Sequence, residues 1–263
     1  MTRTAAAGMA MWMFAATAAA DTDMPAKADG LYGSIGLGVG ARPVYDGSGD
    51  EKIRLMPNLN LFYGDALFLT GMTAGANLWK HTAAPGLNIT AGPLLALRRG
   101  RDEGDNAALA GLGDIDLSLD AGAFIRLHKG GWQARADVRK DVSNGDGGTT
   151  VNLSAGYGRP VSQKLRLRAS LDTTWASAAY ANTFFGIDAT QSANSGIARY
   201  EAGSGIKSVG ASLMADYMID REWGAFASLR VKRLLGDAAD SPIVADFGSA
   251  SQVTTNVGIK YRF

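Results

Sequence analysis

Few side chains in this sequence could carry enzymatic chemistry. Its two histidines, His81 and His128, are the candidates for a general base in Ser–His nucleophilic catalysis. His81 stands in WKHTAAPG, a predicted turn, and His128 stands in RLHKGGW, beside a predicted interfacial tryptophan. Neither histidine belongs to a recognisable triad pattern. The sequence has no cysteine to supply a thiolate ligand or a disulfide, so it predicts no catalytic residue and no enzyme.

Two acidic clusters are the remaining candidates for chemistry. They are Asp46, Asp50 and Glu51, and Asp102, Glu103 and Asp105. Paired carboxylates can act in acid–base catalysis or bind a divalent cation, but the spacing of a calcium loop is absent here. Such clusters are more often solvated loop faces, and Arg101 is placed for a local ion pair with Asp102 or Asp105. We therefore expect no metal and no cofactor.

The elements that would position these side chains are strands. In SQVTTNVGIKYRF, residues 251–263, residues of odd number are mostly apolar and residues of even number mostly polar. This period of two predicts a strand with one apolar and one polar face. The same alternation occurs in KLRLRASLDTTW (164–175) and WGAFASLRVK (223–232), and no window shows a comparable helical period. The chain is therefore predicted to be all-β.

The number of strands follows less directly from the pattern. Alternating runs near 31–40, 53–63, 66–79, 87–98, 115–128, 132–142, 149–158 and 206–219 bring the total to eleven. Single-chain bacterial barrels have an even number of strands. Either 176–204 contains another strand or two N-terminal runs are one. We predict a transmembrane antiparallel β-barrel of twelve strands, with ten as the alternative.

Charged residues occupy the polar face of these strands, which would line the lumen of a barrel. The predicted lumen charges are Arg126, Arg135, Lys164, Arg166, Arg168, Arg230, Asp116, Asp120, Asp137 and Asp172. Unpaired charges in a narrow lumen are costly, so pairing or water must satisfy them. One interpretation is a salt-bridged plug, and the other is an anion-selective pore. The mixture of signs favours pairing.

The N-terminus predicts export. Residues 1–20 combine Arg3, an apolar run too short to span a membrane as a helix, and small residues before Asp21, as a cleaved signal peptide does. Residues 21–30 are predicted to be a short periplasmic segment and residues 31–263 the barrel. The whole chain has 26 basic and 25 acidic residues, and removal of Arg3 with the signal peptide leaves 25 of each. A net charge of zero does not predict nucleic-acid binding.

Loop lengths and aromatic residues predict the orientation. Tryptophan and tyrosine fall near strand ends, where the girdles of a membrane barrel lie. Three connections are long, 99–113, 176–204 and 235–250, and others are tight. Barrels of the Gram-negative outer membrane have short periplasmic turns and longer outer loops. We therefore expect outer-membrane lipid around the barrel and the three long loops outside.

Several loop segments, together with the C-terminus, are similar to one family. PVYDGS (43–48), GRDEGDNAALAGLGDI (100–115), YANTFFGID (180–188), LLGDAADSPI (234–243) and the terminal YRF resemble the MipA/OmpV family of outer-membrane proteins. The similarity covers essentially the whole mature chain, with Phe184 where the family pattern has Tyr. It implies a structural, scaffolding role, since the name-giving member is described as an adaptor between a lytic murein transglycosylase and a bifunctional penicillin-binding protein. It carries over no binding residue.

The C-terminus predicts one further partner. Phe263, Tyr261 and Ile259 alternate along the last strand, as in the signal that the barrel assembly machinery reads on a closing strand. The leading hypothesis is therefore a non-enzymatic scaffold for envelope proteins. A porin-like channel for small solutes is the alternative, and an outer-membrane hydrolase is less favoured.

Overall fold

The computed structural model describes residues 30–143 and 147–263. The predicted signal peptide and residues 21–29 of the predicted periplasmic segment lie outside the described residues. The described part forms one antiparallel sheet of thirteen strand segments. They are β1 Leu31–Pro43, β2 Glu51–Tyr63, β3 Leu67–Thr70, β4 Thr73–Ala76, β5 Trp79–Ala84, β6 Leu87–Arg98, β7 Ser118–Lys129, β8 Trp132–Asp141, β9 Thr149–Pro160, β10 Leu165–Ala176, β11 Gly205–Met218, β12 Trp223–Leu234 and β13 Ser251–Arg262.

The sheet closes on itself as a barrel. β1 pairs with β13, and β4 pairs with β6, so the described sheet forms a ring. β4 and β5 both pair with β6, through Thr73 with Ala96 and Trp79 with Ala91. β4 and β5 are therefore consecutive segments of a single strand of the barrel wall. The thirteen strand segments thus make a barrel of twelve strands. The predicted all-β barrel of twelve strands is confirmed, and the alternative of ten is wrong.

The twelfth strand arises within a run that the sequence predicted to be a single strand. Residues 176–204 contain two short helices rather than a hidden strand, and the N-terminal runs do not merge. Instead, the run near 66–79 folds back as the β3–β4 hairpin. Gly71 has a φ of 55°, which is easily reached by glycine and lets the chain reverse there. The two explanations considered for the odd strand count, a hidden strand in 176–204 and a merger of two N-terminal runs, were therefore both wrong.

The wall has the two faces that the alternation predicted. In β13, Val257 and Ile259 are each 53% exposed on the outside, whereas Asn256 and Lys260 are each 6% exposed on the inside. Aromatic pairs lie on the outer face near the ends of strands, with ring centroids 4.8 Å apart for Trp132 and Tyr157. An apolar outer face with aromatic ends is typical of transmembrane barrels.

The two ends of the barrel differ. One end, here called the short-turn end, has the connections at 64–66, 85–86, 130–131, 161–164 and 219–222. The other, the long-loop end, has 44–50, 99–117, 177–204 and 235–250, so the three predicted long loops share one end. Their helices are two 3-10 helices, Glu103–Asp105 and Ala107–Leu109, and α1 Ala178–Phe185, α2 Ala189–Ser195, α3 Asp237–Asp240 and α4 Pro242–Ala245.

The long loops pack together into a cap. Its apolar core, here called the cap core, consists of Val44, Tyr45, Leu109, Leu112, Ala176, Tyr180, Ala181, Phe185, Ile187, Ala202, Leu234, Ala238, Ile243 and Val244. Local capping starts the helices, since Ser177 accepts a hydrogen bond from the Tyr180 amide and Asp188 forms a capping box with Gln191. The loops therefore have a core of their own across the mouth of the barrel.

A second apolar cluster lies inside the lumen. This aromatic cluster consists of Tyr32, Phe62, Phe68 and Phe124 with Leu94 and Ala96. Tyr32 stacks on Phe62 at 5.3 Å, and Phe68 meets Phe124 edge to face at 5.4 Å. These geometries are favourable for aromatic pairs. The lumen is thus capped at one end and packed with aromatic residues further along.

No helix among the described residues is long and apolar enough to cross a membrane.

Candidate functional site: the capped lumen

A cavity of about 1230 Å³ lies in the lumen beneath the cap. Alternation positions its side chains, because residues of even number point inward along most strands. Arg98 and Arg230 follow this rule, and Arg139 comes from β8, where residues of odd number point inward; Ala96 of the aromatic cluster also lines the cavity. Tyr45 and Tyr180 of the cap core line the opposite side. The cavity is therefore bordered by the barrel wall, the cap and one edge of the aromatic cluster.

Ion pairs join inward-facing residues of strands that lie next to each other, or one strand apart, in the barrel wall. Arg230 of β12 binds Asp172 of β10 through two nitrogens, at 2.7 and 2.6 Å. Arg98 of β6 binds Asp120 of β7 at 3.0 and 2.9 Å. The two parallel hydrogen bonds from Arg230 to Asp172 fix orientation as well as charge, whereas Arg98 makes one hydrogen bond and one further ion-pair contact to Asp120. The first pair joins β12 to β10 across the intervening strand β11, and the second joins the consecutive strands β6 and β7.

Asp137 of β8 is the centre of a small network. Its two oxygens accept from Arg135 at 3.0 Å and Arg139 at 2.8 Å. Asn152 of the neighbouring strand β9 donates to the same carboxylate at 2.9 Å. Arg135 also lies over the Phe124 ring, 4.7 Å from its centroid. The network connects the polar lumen to the aromatic cluster.

Asp46 of the first long loop turns inward between two lysines. Lys207 donates to it at 2.8 Å, and Lys232 binds its other oxygen. Lys207 reaches the lumen because a register shift opposite Thr174 and Trp175 leaves it without a pairing partner in the β10–β11 ladder. Burial opposes the charged form of Asp46, but the two ammonium groups outweigh it and hold its pKa below the ordinary value.

The depressed pKa of Asp46 gives a pH prediction. Its folded pKa lies below the unfolded value of about 3.9, so the unfolded state binds the proton more readily. The stabilisation is present above that value and is lost as the pH falls through the folded pKa. Between pH 7 and pH 3, we expect the melting temperature of Asp46→Asn to fall less than that of the natural chain. Equal falls would contradict the assignment.

The structure places most of the predicted lumen charges on the inward face. Asp120, Asp137, Asp172, Arg135 and Arg230 meet in the ion pairs above. Arg126 lies over the rings of Phe68 and Phe124, at 5.5 and 5.3 Å from their centroids. Arg166 is paired in register with Asp216, and Arg168 lies two residues further along β10. These residues follow the predicted alternation.

Two predicted lumen charges lie outside the strands. Lys164 is exposed in the turn before β10, where its ammonium donates to the Ile219 carbonyl at 3.0 Å. Asp116 is exposed in the segment that leads into β7, at the rim of the cavity. In both cases the alternation extends past the end of the strand, so periodicity alone assigned them to the lumen face.

The acidic clusters have separate structural roles. Asp102 caps a 3-10 helix, and Glu103 accepts from two backbone amides. Asp105 pairs with Lys52 and Arg54 of β2, at 3.1 and 3.3 Å. The expected pairing of Arg101 with Asp102 or Asp105 is wrong, because Arg101 donates to the Phe184 carbonyl instead. No group of three potential metal ligands occurs among the described residues.

The histidines lie apart from each other and from the cavity lining. His81 is in strand β5, rather than in the predicted turn, and stacks on Trp79 at 5.6 Å. His128 is near the end of β7, paired with Asn88 and Gln133. Neither residue lines the cavity. The geometry therefore brings neither histidine into the cavity.

The closing strand holds the three residues of the predicted assembly signal. Tyr261 packs against Trp223 at 5.2 Å and against Phe263 at 6.4 Å, and Ile259 is exposed on the same outer face. β13 joins the N-terminal strand β1 to β12, so it completes the ring. Recognition of these residues by the assembly machinery stays a prediction.

Sequence reasoning missed the contribution of the first loop. Asp46 was assigned to a solvated acidic cluster, and Lys207 was not singled out. Their contact joins residues 161 positions apart in the sequence, and a bulge changes the face of Lys207. A lysine that interrupts the alternation at the start of β11 is the signal that could have revealed it.

Two curated proteins are similar to the chain over most of its length. These are the MltA-interacting proteins of Escherichia coli strain K12 and of Shigella flexneri. Each is 26% identical over 241 residues, which covers 90% of this chain and 92% of the relative. Both carry the same name, which refers to an interaction.

A solved barrel and a family model complete the comparison. The NanC porin structure matches with a TM-score of 0.52 and 8% identity, covering 87% of this chain and all of the other. That likeness shows the fold of an outer-membrane barrel. The model of the family described as MltA-interacting protein MipA matches residues 35–263. The chain belongs to the MipA family.

Proposed function

We propose that the chain is a non-enzymatic barrel of the Gram-negative outer membrane that anchors envelope proteins which synthesise or remodel murein. The observation that carries this proposal is the obstruction of the lumen, which the long loops cap at one end and the aromatic cluster narrows further along. Ion pairs, the cap core and the aromatic cluster use the inside of the barrel for stability. A barrel whose interior is committed in this way contributes to function mainly through its surfaces.

The name of the relatives supports the choice of partner. They are called MltA-interacting proteins, and a lytic murein transglycosylase is the partner that the family resemblance implies. A penicillin-binding protein would be a second partner in the same assembly. Murein lies on the periplasmic side, where the short turns of such barrels lie. The short-turn end is therefore the proposed contact surface, and the long-loop end faces outward.

Two neighbouring turns at that end present apolar side chains. Val161 and Ile219 are 48% and 47% exposed, and the Lys164 ammonium links their turns by donating to Ile219. Apolar side chains that are removed from water at a protein contact favour association, and a carboxylate at the same position would have to be desolvated. We expect Val161→Asp with Ile219→Asp to weaken binding of a purified lytic transglycosylase about tenfold or more, measured by surface plasmon resonance.

A matched control is available at the other end. Phe247 is 53% exposed on the long-loop end, so Phe247→Asp introduces a similar change away from the proposed contact surface. Its binding should equal that of the natural chain. Equal binding by all three proteins would remove the short-turn end from the proposal. Absence of any transglycosylase binding by the natural chain would remove the partner itself.

A channel is the second candidate, and the lumen cavity favours it. Eight basic and six acidic side chains line the cavity, a modest excess of positive charge that suits small anions. The aromatic cluster opposes passage to the short-turn end. Planar-bilayer recordings on pure protein separate the two candidates, because stable open steps would support the channel and a silent bilayer the anchor.

A further inference from the structure

The barrel wall is incomplete on one side. β3 and β4 have four residues each, so their hairpin ends partway up the wall. The Gly71 amide donates to the Leu59 carbonyl of β2 at 2.8 Å, and the Leu97 amide of β6 donates to the Met72 carbonyl at 2.9 Å. The tip of the hairpin therefore lies level with Leu59 and Leu97. Between the hairpin tip and the long-loop end, no residue of this hairpin lies between β2 and β6.

The gap has defined borders, and we call it the side window. β2 continues from Leu59 to Glu51 with β1 as its ladder partner among the described strands. The loop after β6 closes the top, where Asp105 binds Lys52 and Arg54. The borders are residues 54–59 of β2, 71–72 of the hairpin, 95–98 of β6 and 102–105 of the loop.

The lumen cavity reaches through this window to the outer face of the wall. Residues 95–98 of β6 alternate between the two faces, yet all of them line the same cavity. Leu95 and Leu97 are 50% and 43% exposed on the outside, whereas Ala96 is buried inside. Leu59, Leu69 and Ala74, also on the outer face, line it as well. A cavity lined by both faces must cross the wall.

The window opens into the outer half of the proposed membrane. From Tyr63 to Leu59 the strand rises about 13 Å, or roughly 10 Å along the axis at the usual tilt, within an apolar band about 25 Å tall. Hydrocarbon cannot satisfy the free backbone groups of the β2 edge there. Pro57 lacks an amide hydrogen and so disfavours pairing of this edge with an added strand.

The inner part of the cavity suits an anion. Arg101 follows β6 by three residues and is 8% exposed. One terminal nitrogen donates to the Phe184 carbonyl at 3.0 Å, but its Nε and second terminal nitrogen have no hydrogen-bond partner among the described residues. This burial lowers the pKa of Arg101. A phosphate there would satisfy both nitrogens.

We propose that the side window admits one phosphorylated acyl lipid from the outer leaflet, with its head group at Arg101 and an acyl chain along the apolar groove outside. The groove is formed by Leu59, Leu69, Ala74, Leu95 and Leu97. An apolar groove that continues into a basic cavity matches the two parts of such a lipid. This site rests on the proposed membrane orientation and is independent of the transglycosylase contact.

The test is binding of phosphatidylglycerol to the whole processed protein in a neutral detergent, followed by native mass spectrometry. We expect one tightly bound lipid per barrel, with diacylglycerol and glycerol phosphate each binding at least about tenfold more weakly. Ala74→Trp fills the groove and should weaken phosphatidylglycerol binding about tenfold or more. Arg101→Gln should weaken it about ten- to hundredfold. Ala169→Trp on the distant strand β10 should leave it unchanged.

A second measurement does not depend on tolerance of these substitutions. Because the chain lacks cysteine, Leu97→Cys can carry a photo-reactive label at the window, and Leu171→Cys can carry one on β10. Cross-linking of phosphatidylglycerol should be several-fold greater at residue 97. The site would be overturned by equal cross-linking at the two positions or by cross-linking to a polypeptide instead. It would also be overturned if diacylglycerol or glycerol phosphate bound as tightly as the lipid. Transglycosylase binding would be unaffected by any of these outcomes.

Discussion

Asp137→Ala should lower the free energy of unfolding of the barrel by about 3–5 kcal/mol. Asp137 has a side chain that is 3% exposed, and it binds Arg135, Arg139 and Asn152. Removing the carboxylate leaves two guanidinium groups close together in a confined lumen without their shared counter-charge. Equilibrium unfolding in urea, in detergent micelles, measures the loss.

Asp65→Ala is the matched control for that experiment. Asp65 also forms an ion pair, with Lys80 at 2.6 Å, but its side chain is 72% exposed. Water screens such pairs, so we expect little change in the unfolding free energy. If the two substitutions have equal effects, the lumen pairs do not hold the barrel together in the way proposed.

Phe185→Ala should open the cap. The side chain is fully buried in the cap core, and its carbonyl accepts from Ser241. Truncating a buried phenylalanine costs about 3–5 kcal/mol, which would raise the population of the open cap about 100- to 4000-fold. Limited proteolysis of the long loops measures this population, because cleavage requires local opening. The strands should remain resistant.

Phe247→Ala provides the comparison for the cap. Phe247 lies in the loop 235–250 at the same end of the barrel but is 53% exposed. Its truncation removes little buried surface, so the rate of cleavage should stay close to that of the natural chain. A cap that becomes no more sensitive in Phe185→Ala than in Phe247→Ala would show that the loops are not held by their apolar core.

Periodicity predicted the wall of the barrel because the two faces of a strand meet different surroundings. The positions of Asn256 and Val257 on opposite faces follow directly from this rule. The lumen charges Asp120, Asp137 and Asp172 were identified in the same way. The pairing of each acid could not be predicted, since partners such as Arg230 and Asp172 lie 58 residues apart.

Two features of the candidate site depend on exceptions to periodicity. The β3–β4 hairpin depends on a reversal at Gly71, which a continuous alternating run conceals. The position of Lys207 depends on a bulge, which moves one residue to the other face. The cap core combines residues from four loops, and no single loop has a strong pattern. These long-range contacts appear only when the chain is folded.

Accessibility of spin labels in reconstituted vesicles tests the central claim, that the outer face of the barrel contacts lipid. Single cysteines at Val253, Val257 and Ile259 can carry the labels, since the natural chain has none. Our account predicts that each label collides more often with oxygen, which concentrates in hydrocarbon, than with a water-soluble nickel chelate. Greater collision with the nickel chelate at these positions would mean that the outer face meets water, and the membrane barrel would be contradicted.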